Sequence, residues 1–229
     1  MRDLLLDVVR SFSDRQVATR SAAIDAADEI PDDLVQAMRE LDLIGLTTAE
    51  LDVEPLLTVI EQLARACASV ALLVVAPDGS VGEPRRTVGL RGLRTGAVSS
   101  TPDALFRYAV AAAAIGSAQY AHDRTVLYLS SRRAFGRNLI DIPVLHQTTS
   151  TLHASLTHAR RAVHASARAE DASVVDAVTF EAARAATAVA YSAIQLHGGY
   201  GYMSEYPLER IARDCVSLRA LVSTRSAGT

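Results

Sequence analysis

The chain has 229 residues, of which 49% are hydrophobic and 21% charged, and a net charge of −3. That is the balance of a globular protein of one or two domains, and its sign leaves no global basic field for nucleic acid or an anionic membrane. Two cysteines, Cys67 and Cys215, stand far apart with no C-x-x-C spacing, which argues against a disulfide framework or a zinc site and for a reducing, cytoplasmic setting.

Asp3 and Asp7 interrupt the apolar start of the chain, against a signal peptide. The apolar runs 66–76 and 108–115 are too short to span a bilayer. Trp is absent, aromatic residues make up 5%, and apolar residues recur every three or four positions, so the fold class read from the pattern is all-α. Residues 3–27 read as a first helix. Pro31, Asp32 and Asp33 open a second, with Gly45 as its stop, and 54–75 reads as a third. Pro77 to Pro102 changes to Pro, Gly, Ser and Arg, a linker in which Thr87–Gly92 is the one candidate strand. Four further helices follow over 104–131, 143–169, 173–196 and 207–223. Ser173 with Asp176 suggests a capping box, Gly198 and Gly199 a helix stop, and the alanine rows of the first and third suit a close-packed bundle. Domain boundaries follow: 1–76, an N-terminal helical unit; 77–102, the linker; 103–229, a four-helix bundle.

Two segments stand out: Arg132-Arg133-Ala134-Phe135-Gly136, and Gln195-Leu196-His197-Gly198-Gly199-Tyr200-Gly201-Tyr202 followed by Glu205-Tyr206-Pro207-Leu208-Glu209-Arg210 and Arg213-Asp214. A Gly-Gly turn at a helix end lets backbone approach a ligand, and an arginine beside it can fork onto a pyrophosphate. On spacing alone, a helix cap and a surface arginine is the favoured reading. In their order the segments resemble the acyl-CoA dehydrogenase family, with its R-x-x-F-G and Q-x-x-G-G-x-G-[YF]-x-x-[ED]-[YF]-P-[LV]-E-[RK] motifs ending in R-D. Phe12, Ile30-Pro31, Leu34, Met38, Leu41 and Leu43-Ile44-Gly45 resemble its N-terminal helical domain.

The resemblance implies a helical domain, a β middle domain and a C-terminal four-helix domain, but a middle domain of on the order of 100 residues does not fit between Pro77 and Pro102. Thr87–Gly92 resembles only its last part, and the T-E-x-x-x-G-S-D type segment that lines the flavin has no counterpart. The family's base, a Glu that takes the α-proton while the β-hydrogen leaves as hydride to the flavin, is also missing. Val222 and Phe106 stand at its two placements, with Asp103 one helical turn away. No catalytic residue and no metal site are therefore assigned. What is kept is the set the family offers to a neighbour's FAD: Arg132, Phe135, Gln195, Gly198 and Gly199. Pro143 and His146 depart from the glutamines common after R-x-x-F-G.

The resemblance thus implies a non-catalytic subunit of a heteromeric acyl-CoA dehydrogenase, sharing FAD with a full-length partner in an α2β2 assembly. Acyl-CoA would bind mainly on the partner, and electrons would pass to an electron-transfer flavoprotein. Every one of the 23 basic residues is Arg, a bias of GC-rich genomes such as those of actinobacteria, where heteromeric members act on bulky groups such as steroid side chains. A flavin-free scaffold, or a homo-oligomeric enzyme using Asp103, would fit the same fold. His197 reads as a helix-end residue. His153, His158 and His164 with Arg160 and Arg161 read as a solvated or interface face, without metal-ligand spacing or a partner carboxylate. Glu205, Glu209, Arg210, Arg213 and Asp214 read as a salt-bridged support for the Gly-rich turn.

Overall fold

The computed structural model describes residues 2–46, 51–75, 104–169 and 171–223. Within them the body is helical, with α1 (Arg2–Phe12), α2 (Ser21–Ala27), α3 (Asp32–Glu40), α4 (Val53–Ala64) and α5 (Ala68–Leu72) preceding four long helices. These are α6 (Ala104–Ser131), α7 (Pro143–Ser166), α8 (Ala172–His197) and α9 (Leu208–Ser223). They run up, down, up and down, so the C-terminal ends of α6 and α8 share one end of the bundle. The candidate strand at Thr87–Gly92 and the linker lie outside the described residues.

The first helix is not continuous. A π-turn over Ser13–Val17 follows α1, closed by Ala18 N donating to Ser13 O at 2.8 Å. The extra residue turns Ser13 and Val17 inward, and the Ser13 hydroxyl donates to Gln62 O on α4 at 3.2 Å. Asp28, at φ 56°, then ends α2. The second helix stops earlier than Gly45: Asp42 takes the left-handed turn at φ 52°, and Leu43 N donates to Met38 O at 2.9 Å. The third breaks at Arg65–Cys67, where Arg65 turns out to Asp123 on α6 at 2.7 Å and Cys67 is extended. The cap of α8 is Asp171, whose carboxylate accepts from Ser173 N at 2.8 Å. Asp176 is released from capping and pairs with Arg107 instead.

One continuous apolar core joins the N-terminal helices to the bundle. The tightest junction is α4 on α6, where a Cβ at Gly116 would overlap the backbone carbonyl of Glu61; the Ser117 hydroxyl donates to Ala64 O at 3.0 Å beside it. Glu61 is buried and receives both His164 at 2.7 Å and Arg160 at 2.7 Å from α7. That corrects the sequence reading of the α7 histidine face. A partner carboxylate exists, brought from more than 90 residues away in sequence, and part of the face is an internal seam. Among the described residues no helix is long and apolar enough to cross a membrane.

Candidate functional site

The R-x-x-F-G segment folds into a two-residue hairpin, with Arg133–Ala134 pairing antiparallel to Arg137–Asn138. Phe135 (φ 53°) and Gly136 (φ 76°) are both left-handed, the combination a type I′ hairpin turn needs. Glycine accepts that geometry freely. A bulky phenylalanine is strained there, and its ring is also 89% exposed. Folding gains nothing from either feature. The hairpin is sewn to the helix end by Leu139 N donating to Arg132 O at 2.9 Å.

The second motif ends α8. Gly198 has φ 58° and ψ −135°, a combination open to glycine. Gly201 is required for a different reason, since a Cβ there would overlap the carbonyl of Ile194. Gly199 answers neither need, because its φ is ordinary and nothing lies within 4 Å of the place a Cβ would take. Gln195, Gly198 and Gly199 are all exposed.

An aromatic cluster brings the two motifs to the same end of the bundle. Tyr128, one turn before Arg132, stacks on His197 with centroids 4.3 Å apart, and Tyr200 lies 6.4 Å from Tyr128 and 5.7 Å from Tyr206. Sequence reasoning missed this cluster; the only available signal was tyrosine and histidine clustering in a chain otherwise poor in aromatics. His197 is buried, which lowers its pKa, and its Nδ1 donates to Ala193 O at 2.8 Å. Leu127, Phe135, Val144, Tyr191, Tyr202 and Met203, on the elements that meet near this end, are exposed apolar side chains.

Below the turn, Arg213 binds Asp25 on α2 at 3.0 and 2.8 Å and Glu209 at 2.6 and 3.1 Å, two forks on one guanidinium. Arg210 donates to the Ser21 hydroxyl at 3.1 Å. Burial pushes the Asp214 carboxyl up to about 7, against the pull of Arg210 and Arg213.

At the opposite end lie the two positions where the family's base would stand. Val222 is buried and Phe106 half-buried. Between them the fully buried Arg107 donates from Nη2 to Val222 O at 2.8 Å and pairs with Asp176 at 2.9 Å. At 1.5 Å of rise per residue, α6 separates Phe106 from Arg132 by about 39 Å. Asp103 lies outside the described residues. Among them, no group of three or more His, Cys, Asp or Glu is placed to hold a metal ion.

Two family models match, described as "Acyl-CoA dehydrogenase, C-terminal domain" over residues 102–222 and "Acyl-CoA dehydrogenase, N-terminal domain" over residues 2–90. The chain belongs to the acyl-CoA dehydrogenase family. It is similar to the caffeyl-CoA reductase-Etf complex subunit CarC of Acetobacterium woodii, 32% identical over 114 residues, 48% of this chain and 30% of that protein. It is also similar to the short-chain specific acyl-CoA dehydrogenase of Clostridium acetobutylicum, 35% identical over 113 residues, 47% of this chain and 30% of that protein. Each aligned stretch is thus less than a third of the relative's length. In fold it matches butyryl-CoA dehydrogenase from Megasphaera elsdenii with a TM-score of 0.76 at 15% identity, covering 97% of this chain and 96% of that one.

The family's cofactor, FAD, can be tested against the donors present. Arg132 is exposed and makes no ion pair among the described residues. It stands with an exposed glutamine amide and a Gly-Gly turn whose second glycine has open space. A free guanidinium with nearby neutral donors suits a pyrophosphate. Two helix C-termini point their negative dipole ends here, so an anion depends on arginine.

Proposed function

We propose that this chain is a non-catalytic subunit of a heteromeric FAD-dependent acyl-CoA dehydrogenase and contributes half of a flavin site completed by a full-length partner. The observation that carries the reading is the contrast along α6. The flavin-side motifs converge at one end around a strained, 89% exposed Phe135. The base positions, Phe106 and Val222, lie roughly 39 Å away by helical rise and offer no carboxylate of their own. FAD would supply the hydride acceptor for α,β-dehydrogenation of an acyl-CoA thioester. Arg132 would hold its pyrophosphate, Gln195 and the backbone around Gly198 and Gly199 its ADP half, and Phe135 would exclude water beside them. The α-proton would be taken by a carboxylate of the partner.

In this reading residues 1–76 and 103–229 are the family's two helical domains, and 77–102 is the remnant of its middle domain. The exposed apolar residues around the hairpin form part of the subunit contact in an α2β2 assembly. An electron-transfer flavoprotein accepts the electrons, and the substrate is a bulky acyl-CoA such as a steroid side-chain thioester.

Co-expression with a full-length flavoprotein of the family, followed by measurement of FAD retained per complex, tests the proposal. Arg132→Ala is expected to reduce retention at least tenfold while the subunits still co-purify. Undiminished flavin in that variant would contradict the assignment.

A further inference from the structure

A cavity of about 160 Å³ lies between the end of α6 and the start of α9. Tyr206 N donates to Met203 O at 3.0 Å, closing the turn after which Tyr206 and Pro207 form one wall. Arg124, Leu127 and Tyr128 form the wall on α6, and His197 lines the cavity from the end of α8. Ser131 also lines it, with its hydroxyl already donating to Tyr128 O at 3.1 Å.

Two polar groups define the chemistry of this space. His197 is only 4% exposed. A ring nitrogen set against a carbonyl oxygen must donate, so Nδ1 carries the proton towards Ala193 O and Nε2 is left with a lone pair. Nε2 makes no hydrogen bond among the described residues and is not sealed from the cavity that the ring lines. Burial lowers the His197 pKa against the pull of the Ala193 carbonyl, and the positive charge of Arg124 lowers it further, which keeps the ring neutral. Arg124 itself is exposed, makes no ion pair among the described residues, and is the one charged side chain on the cavity wall.

We infer that the cavity is a binding site for a small aromatic monocarboxylate that carries a hydroxyl group, of which 4-hydroxybenzoate is the simplest example. Size sets the first limit, since an apolar cavity of about 150 Å³ admits one benzene ring. One ring fits, and a nucleotide does not. The rings of Tyr128 and Tyr206, with Leu127 and Pro207, offer such a ring aromatic and apolar contact. Charge sets the second limit. A lone guanidinium forks onto one carboxylate and answers one negative charge. The third is the lone pair on His197 Nε2, which a hydroxyl on the ring satisfies by donating to it.

The cavity adjoins both motif segments. Tyr128, stacked on His197 at 4.3 Å, stands one turn before Arg132, and His197 directly precedes Gly198. An occupant therefore touches the residues that join the two segments. Any effect of that contact on a bound flavin rests on the half-site reading; binding in the cavity does not.

The test is a titration of the full chain with 4-hydroxybenzoate, followed by NMR of the His197 and Tyr128 rings. Saturable shifts with a Kd below about 1 mM are expected. Benzoate, which lacks the hydroxyl, should bind at least about tenfold more weakly. Arg124→Gln should weaken 4-hydroxybenzoate by at least about tenfold at an unchanged melting temperature. His197→Phe keeps an aromatic ring on Tyr128 and should erase the preference over benzoate; should that variant not fold, the comparison of the two acids on the wild type decides the same point. The site is overturned by the absence of a saturable response, by undiminished binding in Arg124→Gln, or by benzoate binding as tightly as 4-hydroxybenzoate. Ring shifts that appear only on co-purification with a full-length flavoprotein of the family, and not with either acid, would make the cavity a subunit contact and remove the ligand assignment. Binding of the acid by a chain that never holds flavin would uphold the site and remove only the half-site reading.

Discussion

The two ends of the helical bundle are built on opposite principles. At the Arg107 end, a fully buried guanidinium is met by Asp176 and the Val222 carbonyl, and the Tyr108 hydroxyl donates to Ser166 O. There Arg107 Nη2 and the Tyr108 hydroxyl find their partners within the chain itself. At the Arg132 end, a cation without an ion pair among the described residues, exposed donors and a strained, exposed aromatic ring face solvent. Buried polar groups cost free energy unless partnered, and exposed apolar clusters invite association. The first end therefore contributes to folding, and the second is the end proposed to bind flavin and partner.

Substitutions can break this contrast if they exchange effects between the ends. The largest expected effect is at the seam that supports both: Gly116→Ala forces a methyl group into the Glu61 carbonyl and should cost about 3 kcal/mol of stability by chemical denaturation. Arg107→Leu should cost about 2 kcal/mol, because Asp176 and the Val222 carbonyl lose their partner. Neither should alter flavin binding by the protein that remains folded; a flavin defect at full stability in Arg107→Leu would break the contrast.

Arg132→Ala should leave stability within about 0.5 kcal/mol and act on flavin retention alone. Gly199→Ala sharpens the point, since the backbone does not require glycine there; an unchanged melting temperature with weakened retention would mark close approach of a ligand. A separate effect concerns pH. Asp214 has its carboxyl raised to about 7, so the unfolded chain gives up this proton first, and stability falls as pH climbs from about 4 towards 7. Asp214→Asn should flatten that part of the stability–pH profile in equilibrium unfolding.

Much of this was legible in the sequence because periodicity and motif order report local structure. The four long helices and the stop at Gly198 follow from patterns within a few residues of each position, and the pairing of the two motifs from the resemblance to the family. What escaped depends on distant partners. The π-turn at Ser13 is tied to Gln62, the break at Arg65 to Asp123, and the buried role of Glu61 to His164 and Arg160. Asp176 looked like part of a cap because its neighbours fit one, and only the folded chain brings Arg107 to it. At the candidate site the residue types were visible, but the strain of Phe135 and the differing needs of Gly198, Gly199 and Gly201 required backbone geometry.

The most direct test of a divided flavin site is the visible flavin spectrum of this chain purified alone, compared with the same chain co-purified with a full-length flavoprotein of the family. A colourless chain and a yellow complex that retains FAD are predicted. FAD bound tightly to the chain by itself would contradict the account.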